Sequence, residues 1–296
     1  MTLRTPIADT RRDKLSAGYQ HRAKAGAGLL DFNGMAEELP SPHRKISRPS
    51  CFAAAAREDL LLGARRLRQA FLQTPIRNAG RDAPLISAGD PEPHAVLVRS
   101  GFAYRSCVLA DGRRSILDVL MSGDIAGLDN IVLAHATEDI TAAGRVGYNA
   151  LSGSAVRQLM ADPCIALHVT ALLAAARWRG DRLAASIGRL DAQARLCVLL
   201  LDIHDRLQPR GLINRSTFNL PMTQEQLADH LGLTLVHVNR TLRRLREEKI
   251  VLVDRQVVII HDIGRLRELA QGLPQSAELP EAAALPERAL TAEFGI

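Results

Sequence analysis

The chain is poor in aromatic residues, with one Trp, three Tyr and six Phe making up 3% of its 296 residues. So few rings cannot furnish the stacking platforms of single-strand RNA binders or the aromatic cages that hold quaternary amines. The core must instead be built from Leu, Val, Ile and Ala. Cysteine is scarce as well. Cys51, Cys107, Cys164 and Cys197 stand 56, 57 and 33 residues apart, which is neither a disulfide framework nor a metal-ligand spacing. They read as buried or idle thiols in a reducing cytoplasm. Long apolar runs are missing too: a stretch such as Ala171 to Ala176 falls far below the ~20 residues that cross a bilayer. The amino terminus MTLRTPIADTRRDKLSAG carries no apolar signal region, so a cytoplasmic chain without membrane attachment is expected. No G-x-S-x-G, H-E-x-x-H or Walker loop and no Cys–His constellation occurs. The common catalytic readings therefore have nothing to rest on, and no catalytic residue is assigned.

What is present is a basic, aliphatic chain long enough for two modest domains, 47% hydrophobic, with 38 Lys and Arg against 32 Asp and Glu and a net charge of +6. Residues 1–55 hold nine of those cations against five acids, with scattered Gly and Pro and no apolar period, and read as a disordered basic extension. From Asp59 to Leu72, Leu60, Ala64, Leu67 and Phe71 recur at helical spacing. The texture then changes to short β-type runs at Ala95–Val98, Gly101–Leu109, Ser115–Leu120, Ile140–Val146 and Ala150–Val156. Asp111-Gly112 marks a hairpin turn, and Gly123-Asp124 and Gly127 mark a further corner. Many short strands separated by turns predict a β-roll over about residues 80–158. A second helical pattern runs from Cys164 to Ile187. Its apolar stripe, which includes Leu172, offers a dimer seam.

Residues 221–261, PMTQEQLADHLGLTLVHVNRTLRRLREEKIVLVDRQVVIIH, carry the chemistry. Thr223 followed by Gln226 is a capping box that opens a helix with Leu227 and Leu231 inward, Ala228 allows a close crossing, and Gly232 ends the helix in a tight turn. Thr234 caps a second helix reaching about Glu247. At 100° per residue, Val238, Thr241, Leu242 and Leu245 cluster on one side, while Val236, Asn239, Arg240 and Arg243 lie opposite. Asn and Arg match the edges of adenine and guanine in the major groove, and an exposed arginine face attracts phosphates. Two β-runs, Ile250–Val253 and Val257–Ile260, follow around Asp254-Arg255-Gln256. The order is that of a winged helix-turn-helix.

The stretch LADHLGLTLVHVNRTLRRLREE, together with GFAYRSCVLADGRRSILDVLMSGDIAGL, resembles the Crp/Fnr family of bacterial transcription regulators over about residues 59–272. The resemblance implies an α+β chain: a jelly-roll-like β-roll of the cyclic-nucleotide-binding kind, a long dimerisation helix and a carboxy-terminal winged helix-turn-helix. The expected boundaries are a disordered basic extension over 1–58, a sensor β-roll with its preceding helix over 59–160, the dimerisation helix over 161–187, the DNA-binding domain over 188–270 and a flexible tail over 271–296. The implied partners are double-stranded DNA, a second copy of the chain on a palindromic promoter site, and RNA polymerase. Carried over by position, Arg240 stands where the family reads a half-site guanine, Val236 where many members have a base-reading glutamate, and Asn239 at a neighbouring specificity position. Thr234 and Arg243 or Arg244 are then phosphate contacts. The candidate DNA-binding set is Thr234, Val236, His237, Asn239, Arg240, Arg243 and Arg244.

Cyclic-nucleotide members need a fixed arginine for the buried phosphate, about ten residues after a Gly-Glu pair. Here Gly123, Asp124 and Gly127 supply a candidate effector corner, but Leu128 to Gly144 contains no arginine, so cyclic AMP is not expected and the corner reads as a structural turn. Cys51 stands alone in the amino-terminal region where iron–sulfur members cluster cysteines, so that cofactor is not expected either. His94, His135 and His168 as haem ligands, or Cys107 as a thiol sensor, are the remaining openings, each weaker than a structural role. The effector stays unassigned. The alternative reading is a small-molecule or redox sensor in which the β-roll gates DNA binding.

Overall fold

The computed structural model describes residues 51–133 and 135–270, with side chains from Arg57 onward. Most of the basic extension and the tail over 271–296 lie outside the described residues. Helix α1 spans Cys51–Leu72, beginning ahead of the Asp59 start expected from periodicity. The alanines at 53–56 carry no apolar period yet are the strongest helix formers, so propensity extends what patterning could not mark.

Eight short strands then build the roll: β1 (Arg77–Ala79), β2 (Pro84–Ile86), β3 (His94–Ser100), β4 (Phe102–Val108), β5 (Arg114–Met121), β6 (Ile125–Ala126), β7 (Asp139–Ala142) and β8 (Val146–Ser152). They pair antiparallel in two four-stranded sheets, ordered β1-β8-β3-β6 and β2-β7-β4-β5. Between the sheets lie Leu85, Ile86, Val96, Val98, Leu120 and Ile140. The next residues along β3, Ala95 and Leu97, point the other way and are equally buried, against Leu67 and Phe71 of α1. Burial on both faces explains why this strand reads as unbroken Ala-Val-Leu-Val.

The hairpin marked at Asp111-Gly112 joins β4 to β5, and two further runs in the roll are corrected. The β4–β5 connection is a five-residue loop, 109–113, closed by Leu109 N–H donating to Arg113 O at 2.8 Å, and Gly112 alone takes a positive φ. The run expected over 140–146 is two strands separated by Ala143-Gly144-Arg145. The run expected over 150–156 ends at Ser152, whose hydroxyl accepts from Ala155 N–H and caps helix α3 (Gly153–Leu159). A short helix α2 (Leu128–Leu133) also interrupts the strands.

Helix α4 runs Pro163–Arg189, opened by Asp162, which accepts from Cys164 N–H and also pairs with Arg66 of α1. It continues through Gly180 without a break. A Cβ on Gly63 would lie 1.9 Å from Cys164 O, so glycine is what permits α1 and α4 to cross this closely. Beyond α4 come α5 (Ala192–Leu207), β9 (Thr217–Asn219), α6 (Gln224–Leu231), α7 (Leu235–Glu247), β10 (Val251–Asp254), β11 (Val257–Ile260) and α8 (Ile263–Leu269). The wing is three-stranded, ordered β10-β11-β9. Its tight turn places Arg255 and Gln256 both at positive φ without a glycine. One hydrophobic cluster joins this module to the roll: Tyr104, Ile116 and Met121 of β4 and β5 pack with Leu200, Leu227 and Val238. Among the described residues, no helix is long and apolar enough to cross a membrane.

Candidate nucleic-acid interface

Helix α6 begins with the capping box: Thr223 N–H donates to Gln226 Oε1 at 2.9 Å and Gln226 N–H donates to Thr223 Oγ1 at 3.1 Å. It ends at Gly232, whose φ of 61° lets the chain reverse into α7. Thr234 Oγ1 accepts from His237 N–H at 3.3 Å, satisfying one of the donors left open at a helix start. Val238, Thr241 and Leu245 are buried and Leu242 partly so, and the Thr241 hydroxyl donates to His237 O at 2.9 Å rather than standing unpaired in the core.

All seven sequence-predicted residues, Thr234, Val236, His237, Asn239, Arg240, Arg243 and Arg244, are exposed. Arg243 pairs with Glu247 at 2.8 Å and Arg244 with Glu248 at 2.7 Å along the helix. Among the described residues, the Asn239 amide and the Arg240 guanidinium have no partner. Two of the open side chains of α7, Asn239 and Arg240, thus lie in its first half, the end that a helix-turn-helix presents to base edges, while Arg246 in the last turn is exposed and, among the described residues, without a partner as well.

A second constellation, unseen in the sequence, fixes how this module sits on the roll. Asp124 lies between Arg206 of α5 and Arg210 in the turn just after it, with Arg210 Nη2 2.6 Å from one carboxylate oxygen and Arg206 Nη2 2.6 Å from the other. Met121 N–H donates to the same carboxylate at 2.9 Å, and Arg210 Nη1 donates to Ser122 O at 2.5 Å. Asp118 of β5 receives Arg179 of α4 at 2.8 Å, and Arg206 also reaches Asp202 at 3.3 Å. Burial by itself would raise both carboxyls. Arg210 and Arg206 overcome it and hold Asp124 far below the usual carboxylate range, and Arg179 and Arg206 hold Asp118 below it. On α6, Asp229 pairs with Arg114 at 2.8 Å, and buried His230 donates from Nδ1 to Ile116 O at 3.1 Å, burial lowering its pKa. The only sequence signal was the i, i+4, i+8 stripe Asp202, Arg206, Arg210. It marks a face but not a partner 82 residues away.

The candidate effector corner is therefore an inter-element joint. Gly127 is required there, since a Cβ would lie 2.6 Å from His94 O and 2.7 Å from the Ile86 side chain. His94 contacts Leu85 O at 3.0 Å, His135 is exposed and His168 is buried with its pKa pushed down to about 4 by that burial. Among the described residues, no group of three His, Cys, Asp or Glu is arranged to hold a metal. Cys107 is half-buried on β4, and Cys197 is buried in α5 with its thiol pushed up to about 12 by burial.

A β-roll pinned to a winged helix-turn-helix whose second helix is open to solvent defines a DNA-binding regulatory protein. Residues 194–269 match the Crp-like helix-turn-helix domain and residues 76–162 the cyclic nucleotide-binding domain. The probable transcriptional regulator flp of Lacticaseibacillus casei is 31% identical over 179 residues, covering 59% of this chain and 78% of its own length. The transcriptional activator protein FnrL of Cereibacter sphaeroides is 27% identical over 196 residues, covering 63% of this chain and 76% of its own. The structure of FixK2 from Bradyrhizobium japonicum superposes with a TM-score of 0.61 at 22% identity, over 68% of this chain and 99% of that one, a likeness of fold. The chain belongs to the Crp/Fnr family and is a DNA-binding transcription regulator.

Proposed function

We propose that the protein binds a palindromic promoter site as a homodimer, with the α7 helix of each protomer in successive major grooves about one helical turn apart. Arg240 donates to a guanine edge. Asn239 and His237 face neighbouring bases, and Thr234, Arg243 and Arg244 approach phosphates. The observation that carries the reading is the open arc of α7, where Arg240 and Asn239 are exposed and unpartnered among the described residues. The Glu247 and Glu248 pairs are exposed to water and yield to a phosphate at small cost.

Dimerisation is assigned to α4. Its exposed positions Leu167, Thr170, Ala174, Arg177, Asp181 and Ala184 recur at intervals of three and four, the spacing of a two-helix seam. Leu172, which the sequence suggested for that seam, packs inward on the α1 and roll cluster instead. On DNA the dimer recruits or blocks RNA polymerase and performs no reaction of its own.

Cyclic AMP is not assigned as effector. The roll interior is packed with Ile86, Val96, Val98 and Leu120, and the two arginines at the corner, Arg206 and Arg210, are already paired with Asp124, which supports that reading. The described thiols, Cys107, Cys164 and Cys197, sit on β4, α4 and α5 and do not form the cluster that an iron–sulfur centre needs. The test is selection of bound duplexes from a random library by the full chain, beside Arg240→Ala. Enrichment of a palindrome containing a guanine that the variant no longer selects supports the reading, and enrichment of the same palindrome by both proteins refutes it.

A further inference from the structure

The reading face of α7 contains one residue that no hydrogen-bond code explains. Val236 is 63% exposed, among the most exposed large apolar side chains described, in the first turn of the helix. Taking Val236 as the origin, Arg240 lies about 40° to one side and Arg243 and Asn239 about 20° and 60° to the other, so the valine sits inside the arc that faces DNA. Leu235, also exposed, lies about 100° from Val236, beyond the Asn239 edge of that arc. The face therefore presents an apolar knob flanked by two hydrogen-bonding side chains. An isopropyl group cannot accept from the cytosine amino group as a carboxylate would. The one apolar feature on a major-groove base edge is the C5 methyl of thymine.

We infer that Val236 selects a T·A pair by packing its isopropyl group against the thymine methyl, an inference that rests on α7 lying in the major groove with Arg240 on guanine. The axial distance from Val236 to Arg240 is about 6 Å. Base steps are ~3.4 Å. The selected thymine therefore falls within two base pairs of the guanine in each half-site. Thr234 and its cap on His237 N–H fix the start of the helix, so the valine approaches from a defined backbone position.

The test uses the full chain and the duplex enriched from the random library, with each thymine of the half-site replaced in turn by deoxyuridine, which removes only the methyl. The expected result is a loss of about fourfold at a single position within two base pairs of the guanine, the cost of one methyl group left uncovered. In Val236→Ala, whose side chain is exposed and plays no part in the core, that position becomes insensitive to the replacement, and 5-methylcytosine in place of cytosine there binds the wild-type chain better than cytosine. A flat deoxyuridine scan on a site that still shows the Arg240-dependent guanine overturns the inference while leaving the proposed function intact. An unchanged deoxyuridine response in Val236→Ala also overturns it. Failure to enrich any palindrome overturns both.

Discussion

Replacing Asp124 by Asn removes one charge from the joint between the roll and α5 while keeping shape and one acceptor oxygen. Arg206 retains Asp202 and Asp118 at 3.3 and 3.8 Å, but Arg210 loses its carboxylate while remaining buried, its side chain 7% exposed. Breaking a buried pair from one side costs ~3–5 kcal/mol, and the surviving acceptors place this case near the low end, about 3 kcal/mol. For a folded unit of this size that corresponds to a fall in Tm of about 6–12 °C. The sign of the pH dependence follows from the carboxyl being held far below its ordinary value. Its contribution is fully present above the unfolded value of ~3.9 and is lost as pH falls from there toward the folded one. Urea unfolding followed by fluorescence of the sole tryptophan, Trp178, should therefore show a constant gap between wild type and Asp124→Asn from pH 8 to about pH 4, narrowing at pH 3 and below. The transition should be single in both proteins, because the roll and the DNA-binding module share one hydrophobic cluster. A Tm within 1 °C or so of wild type at pH 7, or a gap that does not narrow in acid, would refute the reasoning.

Three further outcomes are expected. Arg240→Ala should cost about 1–3 kcal/mol on the selected site and little on random duplex, whereas Arg243→Ala should weaken both alike and flatten the salt dependence, as titrations over a range of salt concentrations will show. Ala174→Glu places a charge on the exposed face of α4 and should give monomers in sedimentation equilibrium that no longer enrich a palindrome; Leu172→Glu instead should destabilise the fold, since Leu172 packs inward. Gly63→Ala improves helix propensity yet drives a methyl into Cys164 O, so a net destabilisation of about 1–3 kcal/mol is expected, and an increase in stability by urea titration would show that α1 and α4 can separate freely.

The helix-turn-helix was legible in the sequence because everything that specifies it is local. Thr223 and Gln226 are three residues apart, Gly232 must take a left-handed turn, and the period of Val238, Thr241 and Leu245 exposes the opposite face. The wing strands and the turn between them at Asp254-Arg255-Gln256 were legible from the β-branched runs, although the third strand β9 was not marked and no glycine signals the positive φ of Arg255 and Gln256. The roll was harder. Strands such as β3 are buried on both faces, so the alternation that normally fixes a strand and its ends is absent, and the start of α3 was read as strand because its cap, Ser152, is also at home in a strand. Asp124 was read as part of a structural turn and as a weak effector corner, without its partners. The sequence shows an acid beside a glycine at a corner, and nothing within 80 residues of it names the two arginines that it meets.

That joint also changes how the DNA-binding face should be understood. Helix α6, which leads through the Gly232 turn into α7, is held to β5 by Arg114–Asp229 and by His230 on Ile116 O. Arg195 of α5 donates to Ile187 O at 2.7 Å and to Leu231 O at 3.2 Å, tying the end of α4 to the end of α6. The orientation of the reading face is therefore written into contacts between β5, α4, α5 and α6. A displacement of β5 would act on these contacts, because it carries Asp118 and the backbone of Ile116 with it.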